Sequence, residues 1–131
     1  MQPSTRFANP TQPNDYALVV DDVAQIRRIV RGWLELDGHE VLTANNALAG
    51  FTAILELGPP KLLICDQRMD EGGPGLRLLD YCAEHYPATK RILYTGFADA
   101  HAAMAAVRHV VIDKTYPHLL MPAVRRALGE P

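Results

Sequence analysis

Four short apolar runs in this chain each stop at a polar residue capable of chemistry. Tyr16–Val20 meets Asp21-Asp22, and Lys61–Cys65 meets Asp66. Arg91–Tyr94 meets Thr95, and Val110–Ile112 meets Asp113-Lys114. Short apolar runs bounded by turn residues read as buried strands. Strands of that kind, alternating with helical patterns, build a parallel sheet whose ligands lie beyond the carboxyl ends of its strands. Three carboxylates, a hydroxyl and an ammonium are therefore expected to meet at one rim.

The segments between the runs supply the helices. Asp22 is expected to cap a helix with the apolar stripe Ile26, Ile29, Val30, Trp33 and Leu34, stopped at Asp37-Gly38. Glu40–Ala44 reads as a second strand, and Asn45 or Asn46 as the cap of a helix over Ala47–Leu57. Further helices are expected over Leu76–His85, over Asp99–Arg108, and from near Met121 with Pro122 in its first turn. Five βα units in succession predict an α/β fold. Its doubly wound parallel sheet has five strands in the flavodoxin-like order 2-1-3-4-5, which sets the first and third strands side by side.

The chain's 131 residues suit one domain, able to bury roughly two-thirds of its unfolded surface. Residues 1–14, with three prolines, read as a flexible leader, and 15–129 as the domain. With no second domain expected after it, the chain reads as a stand-alone unit. No apolar run approaches the ~20 residues needed to cross a bilayer. A net charge of −2 gives no electrostatic reason to expect nucleic-acid binding. Cys65 and Cys82 lack zinc-ligand spacing and read as buried free thiols, which fits a reducing cytoplasm.

Three carboxylates crowded at one edge bind protons or recruit a cation, and hard oxygen ligands favour Mg²⁺. A carboxylate can also be a nucleophile toward phosphorus. The transferred group then needs counter-charge from metal, ammonium and hydroxyl, roles that Asp66, Lys114 and Thr95 can share with the ion. With Asp21-Asp22 ending the first strand, Asp66 the third, Thr95 the fourth and Lys114 just past the fifth, and with Asp22 and Asp66 44 positions apart, the chain resembles the receiver domain of bacterial two-component response regulators over about residues 15–128. Met69 and the Gly75-Leu76 helix entry agree with it.

The resemblance implies phosphorelay signalling by protein contact rather than enzymatic turnover. Asp66 would be the phosphoacceptor. Asp22, Asp66 and the Arg68 backbone carbonyl would ligate Mg²⁺, with Asp21 acting through metal-bound water. Thr95 would bond the phosphoryl group and Lys114 pair with it. The implied partners are a sensor histidine kinase or a histidine phosphotransfer protein and a downstream protein target, with a homodimer allowed. The first helix is the family's docking surface for phosphotransfer helices, which singles out Arg27 and Arg28.

Several positions depart from the family. Thr115 follows Lys114 where proline, in a cis peptide, is usual. Val111 occupies the place of an aromatic switch residue, while Phe97, two after Thr95, resembles a variant that carries the aromatic in the loop. Thr95 and Lys114 are only 19 positions apart. Arg68 stands where smaller or amide residues are common. These departures keep a rival open, a phosphorylation-independent docking module on the same fold. A third reading, a small Mg²⁺-dependent phosphatase, lacks the second carboxylate two after Asp66.

Blander roles apply to the remaining residues. Gly72-Gly73-Pro74-Gly75 lacks the Lys-Ser/Thr of a phosphate cradle. Arg31, Arg125 and Arg126 read as solvated faces, Trp33 as core, and the five histidines as surface.

Overall fold

The computed structural model of the chain describes residues 12–67, 75–96, 105–106 and 108–130. Five parallel strands form one sheet: β1 (Asn14–Val20), β2 (Val41–Ala44), β3 (Pro60–Cys65), β4 (Lys90–Thr95) and β5 (Val110–Asp113). Their spatial order is β2-β1-β3-β4-β5, the doubly wound order expected. Four α-helices are described: α1 (Ala24–Leu36), α2 (Ala47–Leu57), α3 (Gly75–His85) and α4 (Leu120–Ala127). A 3₁₀ turn, Pro117–Leu119, precedes the last. The helix expected over Asp99–Arg108 falls almost entirely outside the described residues. Arg68, Met69 and Phe97 lie outside them too, as do residues 1–11 of the expected leader.

Strand alternation divides the core in two. Leu18, Val20, Leu63, Cys65 and Leu93 face α2 and α3, against Ile54, Leu78, Leu79 and Cys82. Ala17, Val19, Leu62, Ile64, Ile92 and Tyr94 face α1 and α4, against Val30, Leu34, Leu120 and Val124. With both faces of the sheet covered, near-continuous apolar runs are the strand signature. Both cysteines are free and buried. Burial pushes the Cys82 thiol up to about 12 and the Cys65 thiol well above its ordinary value, so neither is a ready nucleophile.

Local chemistry sets most boundaries. Asn46 caps α2, its side chain accepting from Ala49 N–H at 2.8 Å. Gly38, at φ +89°, lets the chain leave α1 in a left-handed turn. Pro122 falls in the first turn of α4, where its missing N–H costs little.

Four details differ from the sequence reading. Strand β1 opens at Asn14, inside the expected leader, because the Asn14 N–H bonds Pro59 O at 2.7 Å. Asp22 does not cap α1; Val23 holds that position, and the Asp21 carboxylate accepts the Val23 N–H at 2.9 Å. Within the α1 stripe, Val30 and Leu34 are buried and Trp33 is half-buried, whereas Ile29 stays 39% exposed. His39 and His109 are buried rather than on the surface, each held by charged residues distant in sequence.

Candidate functional site

The sheet ladder carries Asp21, Asp66, Thr95 and Lys114 to the same rim. Val20 pairs with Cys65, Cys65 with Leu93, and Thr95 with Asp113. Beyond the strands, Asp21 N–H bonds Ala44 O at 3.1 Å and Asp66 N–H bonds Val20 O at 3.0 Å. Lys114 N–H bonds Thr95 O at 2.9 Å. Because the backbone hydrogen bonds run past the last strand residues, these side chains are fixed by the sheet itself rather than by loops.

The side chains converge accordingly. Lys114 Nζ lies 2.7 Å from Asp21 Oδ2 and 3.0 Å from Asp66 Oδ2, bridging the ends of β1 and β3. One carboxylate oxygen from each of Asp21, Asp22 and Asp66 lies within 4.8 Å of the others. Asp21 is 2% exposed, Asp66 5% and Thr95 2%. The Lys114–Thr115 peptide is trans, with threonine where the family usually has proline, and the ammonium still reaches both carboxylates. It also lies 5.9 Å from the centroid of the Tyr94 ring. Val111 packs, partly buried, against the α2–α3 side of the core.

Engagement separates the three acids. Asp21 Oδ1 accepts the Val23 N–H and its Oδ2 takes Lys114. Asp66 Oδ1 accepts the Gln67 N–H at 2.7 Å and its Oδ2 takes Lys114. Asp22 is exposed and makes no hydrogen bond or ion pair among the described residues. A cation arriving from solvent thus meets one free carboxylate beside two that are already oriented. Three oxygen ligands this close suit a hard divalent ion.

The electrostatics agree. Burial pushes the Asp21 carboxyl above its ordinary value, although the hydrogen bond from Lys114 opposes the shift. Burial alone would lower the Lys114 ammonium, and the pull of Asp21 and Asp66 more than offsets it, raising its pKa. Among the described residues the rim sets three acids against the Lys114 ammonium and the Arg27 guanidinium, an excess of negative charge.

One contributor was missed by sequence reasoning, and another was read only as a helix entry. The first is the Gln67 backbone N–H, which orients Asp66; the residue after a strand-ending acid is the place to look for such a donor. The second is Gly75, where a Cβ would come 1.7 Å from the Asp66 carbonyl oxygen and 2.7 Å from Cys65 Sγ. Only glycine lets α3 start against the backbone of Asp66. The two expected docking arginines also separate: Arg28 is exposed, while Arg27 is half-buried and donates to Asp21 O.

The response regulator receiver domain profile matches residues 17–116 of this chain. Among curated relatives, the C4-dicarboxylate transport transcriptional regulatory protein DctD of Pseudomonas aeruginosa is 33% identical, over 98% of this chain and 27% of its own length. The hydrogenase transcriptional regulatory protein HoxA of Cupriavidus necator is 33% identical, over 82% of this chain and 21% of its own. The chain therefore spans about a fifth to a quarter of such relatives. Among solved structures, the receiver domain of NtrX from Brucella abortus superposes with a TM-score of 0.77 at 31% identity, covering 88% of this chain and 99% of that one. A CheY-like receiver domain protein from Methanospirillum hungatei gives 0.77 at 26%, covering 88% and 94%. Fold, rim geometry and sequence likeness agree, and the chain belongs to the response regulator receiver domain family, whose members are signalling proteins rather than catalytic enzymes.

Proposed function

We propose that this receiver domain accepts a phosphoryl group on Asp66 from a phosphohistidine donor with Mg²⁺ bound beside it, and that the modified rim alters a protein-interaction face. The observation that carries the reading is Lys114 Nζ held at 2.7 Å from Asp21 and 3.0 Å from Asp66, with three carboxylate oxygens gathered within 4.8 Å. In the reaction an Asp66 carboxylate oxygen attacks phosphorus as the phosphorus–nitrogen bond of the donor breaks. The electron pair leaves on the imidazole nitrogen, which takes a proton from solvent.

Each residue has a definable task. Asp22, with Asp66 and the Arg68 carbonyl, would hold Mg²⁺, and Asp21 would act through a water of its shell. Bound Mg²⁺ would supply positive charge to one phosphoryl oxygen. The Gln67 N–H keeps Asp66 aimed. Lys114 would move from the carboxylates to a second phosphoryl oxygen, a charge-assisted contact, and the Thr95 hydroxyl would bond the third. Movement of Thr95 and of Phe97, two residues on, would pass the change on, as charge-driven switches do.

For the donor, we assign the face formed by α1 and α4. Two depressions of about 610 and 410 Å³ share Trp33 and Leu36 there. Ile29 and Met121 add apolar surface; Arg28 and Glu35 line one depression, and Arg125, paired with Asp37 at 2.9 Å, lines the other. A kinase or phosphotransfer helix with an apolar face fits such a groove. No described helix is long and apolar enough to cross a membrane, and a cytoplasmic location goes with this reading.

The test is beryllofluoride, a phosphoryl mimic, followed through backbone amide spectra with Mg²⁺ present. The wild type should shift at the rim and around Thr95, and Asp66→Asn should not. Equal spectra for the two proteins would refute the assignment.

A further inference from the structure

Asp21 is anchored through every polar atom it owns. Its N–H bonds Ala44 O, its Oδ1 takes the Val23 N–H, and its Oδ2 takes Lys114. The remaining atom, the main-chain oxygen, accepts from Arg27 Nη1 at 2.7 Å. That donor reaches back from α1 across six positions and is half-buried, whereas its neighbour Arg28 is exposed in the docking groove. The Asp21 carbonyl belongs to the peptide joining Asp21 to Asp22. The plane of that peptide limits the direction in which Asp22 leaves the strand, and Asp22 has no other tether among the described residues.

We infer that Arg27 is a positioning residue: its bond to Asp21 O fixes the Asp21–Asp22 peptide and so aims the free Asp22 carboxylate at the divalent ion. This rests on reading the rim as the Mg²⁺ site. A charge-assisted bond from a guanidinium to a carbonyl is strong enough to hold one peptide orientation. Removing residues that orient metal ligands without touching the metal typically weakens affinity by about 10–100-fold.

The sign of the effect distinguishes positioning from charge alone. A guanidinium near a dication repels it, so if Arg27 acted only through its charge, its loss would tighten Mg²⁺ binding. If it acts by positioning, its loss weakens binding. The experiment is isothermal titration of MgCl₂ into the wild type, Arg27→Ala, Arg27→Lys and Arg31→Ala, with thermal unfolding recorded for each. Arg31 is exposed on the same helix and pairs with Glu35, so it controls for loss of a helix cation.

Arg27→Ala should bind Mg²⁺ about tenfold more weakly, and Arg31→Ala as the wild type does. Arg27→Lys keeps the charge on a shorter reach and should fall between them. If the alanine variant does not fold, the lysine variant decides alone. Unchanged or tighter binding without the guanidinium overturns the inference, as does equal weakening in Arg31→Ala. A wild type that takes up no Mg²⁺ overturns the site reading itself.

Discussion

The two ends of the sheet hold their charges in opposite ways. At the amino end, Lys61 bonds Asp15 at 2.7 Å and His39 Nδ1 at 2.9 Å, and His39 faces Glu130 at 3.5 Å. Near the start of β5, His109 Nε2 lies 2.7 Å from Asp80, and Arg91 Nε lies 3.3 Å from its other ring nitrogen. The His109 side chain is 1% exposed, and each of its nitrogens has a partner. At the carboxyl end, Asp21 and Asp66 share one ammonium, and Asp22 has no partner among the described residues. Matched charges close a surface; an unmatched cluster stores a demand for a ligand. The contrast separates structural ion pairs from the candidate site on one sheet.

The harshest way to break the contrast is Gly75→Ala. The added Cβ would meet the Asp66 carbonyl at 1.7 Å, and backbone cannot yield as a flexible side chain can. Overpacking costs about 1–3 kcal/mol and occasionally more, and the upper end is expected here because both partners are main chain. Mg²⁺ affinity should fall as well, since the displaced atom belongs to the proposed nucleophile. Urea unfolding combined with Mg²⁺ titration checks both. A variant as stable as the wild type would show that α3 can shift without disturbing Asp66.

A smaller effect is expected from Lys114→Ala, and it acts on the charge balance directly. Removing one partner of a buried ion pair costs about 3–5 kcal/mol. Lys114 is 18% exposed and solvent screens part of that, so a loss of about 2 kcal/mol is expected without metal. Mg²⁺ should bind more tightly, because the competing ammonium is gone, and should restore most of the lost stability. The beryllofluoride shift should nonetheless weaken. Chemical unfolding with and without Mg²⁺ measures the first two; a variant that gains nothing from Mg²⁺ would refute the idea that Lys114 holds the cation's place.

The fold was legible because every apolar run ended where the ladder carried a chemical residue onward. Asp66 N–H to Val20 O and Lys114 N–H to Thr95 O continue the pattern that the runs announced. What escaped depends on contacts between distant segments. His39 and His109 look like surface residues until Lys61, 22 positions away, and Asp80, 29 positions away, fold against them. Gly75 reads as a helix entry, and its close approach to Asp66 stays hidden because the backbone it meets is set by the sheet. The capping assignment failed for a local reason: an aspartate readily accepts the N–H two residues on, so Asp21, one position earlier than expected, serves Val23. Arg27 matched the docking helix by position, and only the Asp21–Asp22 peptide in place shows what it holds.

The mildest prediction compares the two ends by acid. Folding holds the Asp15 carboxyl below its ordinary 3.8, chiefly through the hydrogen bond from Lys61, so its contribution is present above 3.8 and lost as pH falls through the lowered value. Asp21 runs the other way. Burial raises its pKa above 3.8, so between that value and the raised one the folded chain binds more protons than the unfolded chain. Stability from this group therefore falls as pH rises through that window, and acid relieves the carboxyl end before it weakens the amino end. Asp21→Asn should flatten the metal-free stability profile just above pH 3.8, whereas Asp15→Asn should change it only below. Mg²⁺ favours ionised carboxylates and should reverse the Asp21 slope. Urea midpoints across this range, with chelator and then with Mg²⁺, test it: if the Asp21→Asn curve runs parallel to the wild type's, burial of that carboxylate is not what leaves this end of the sheet waiting for a cation.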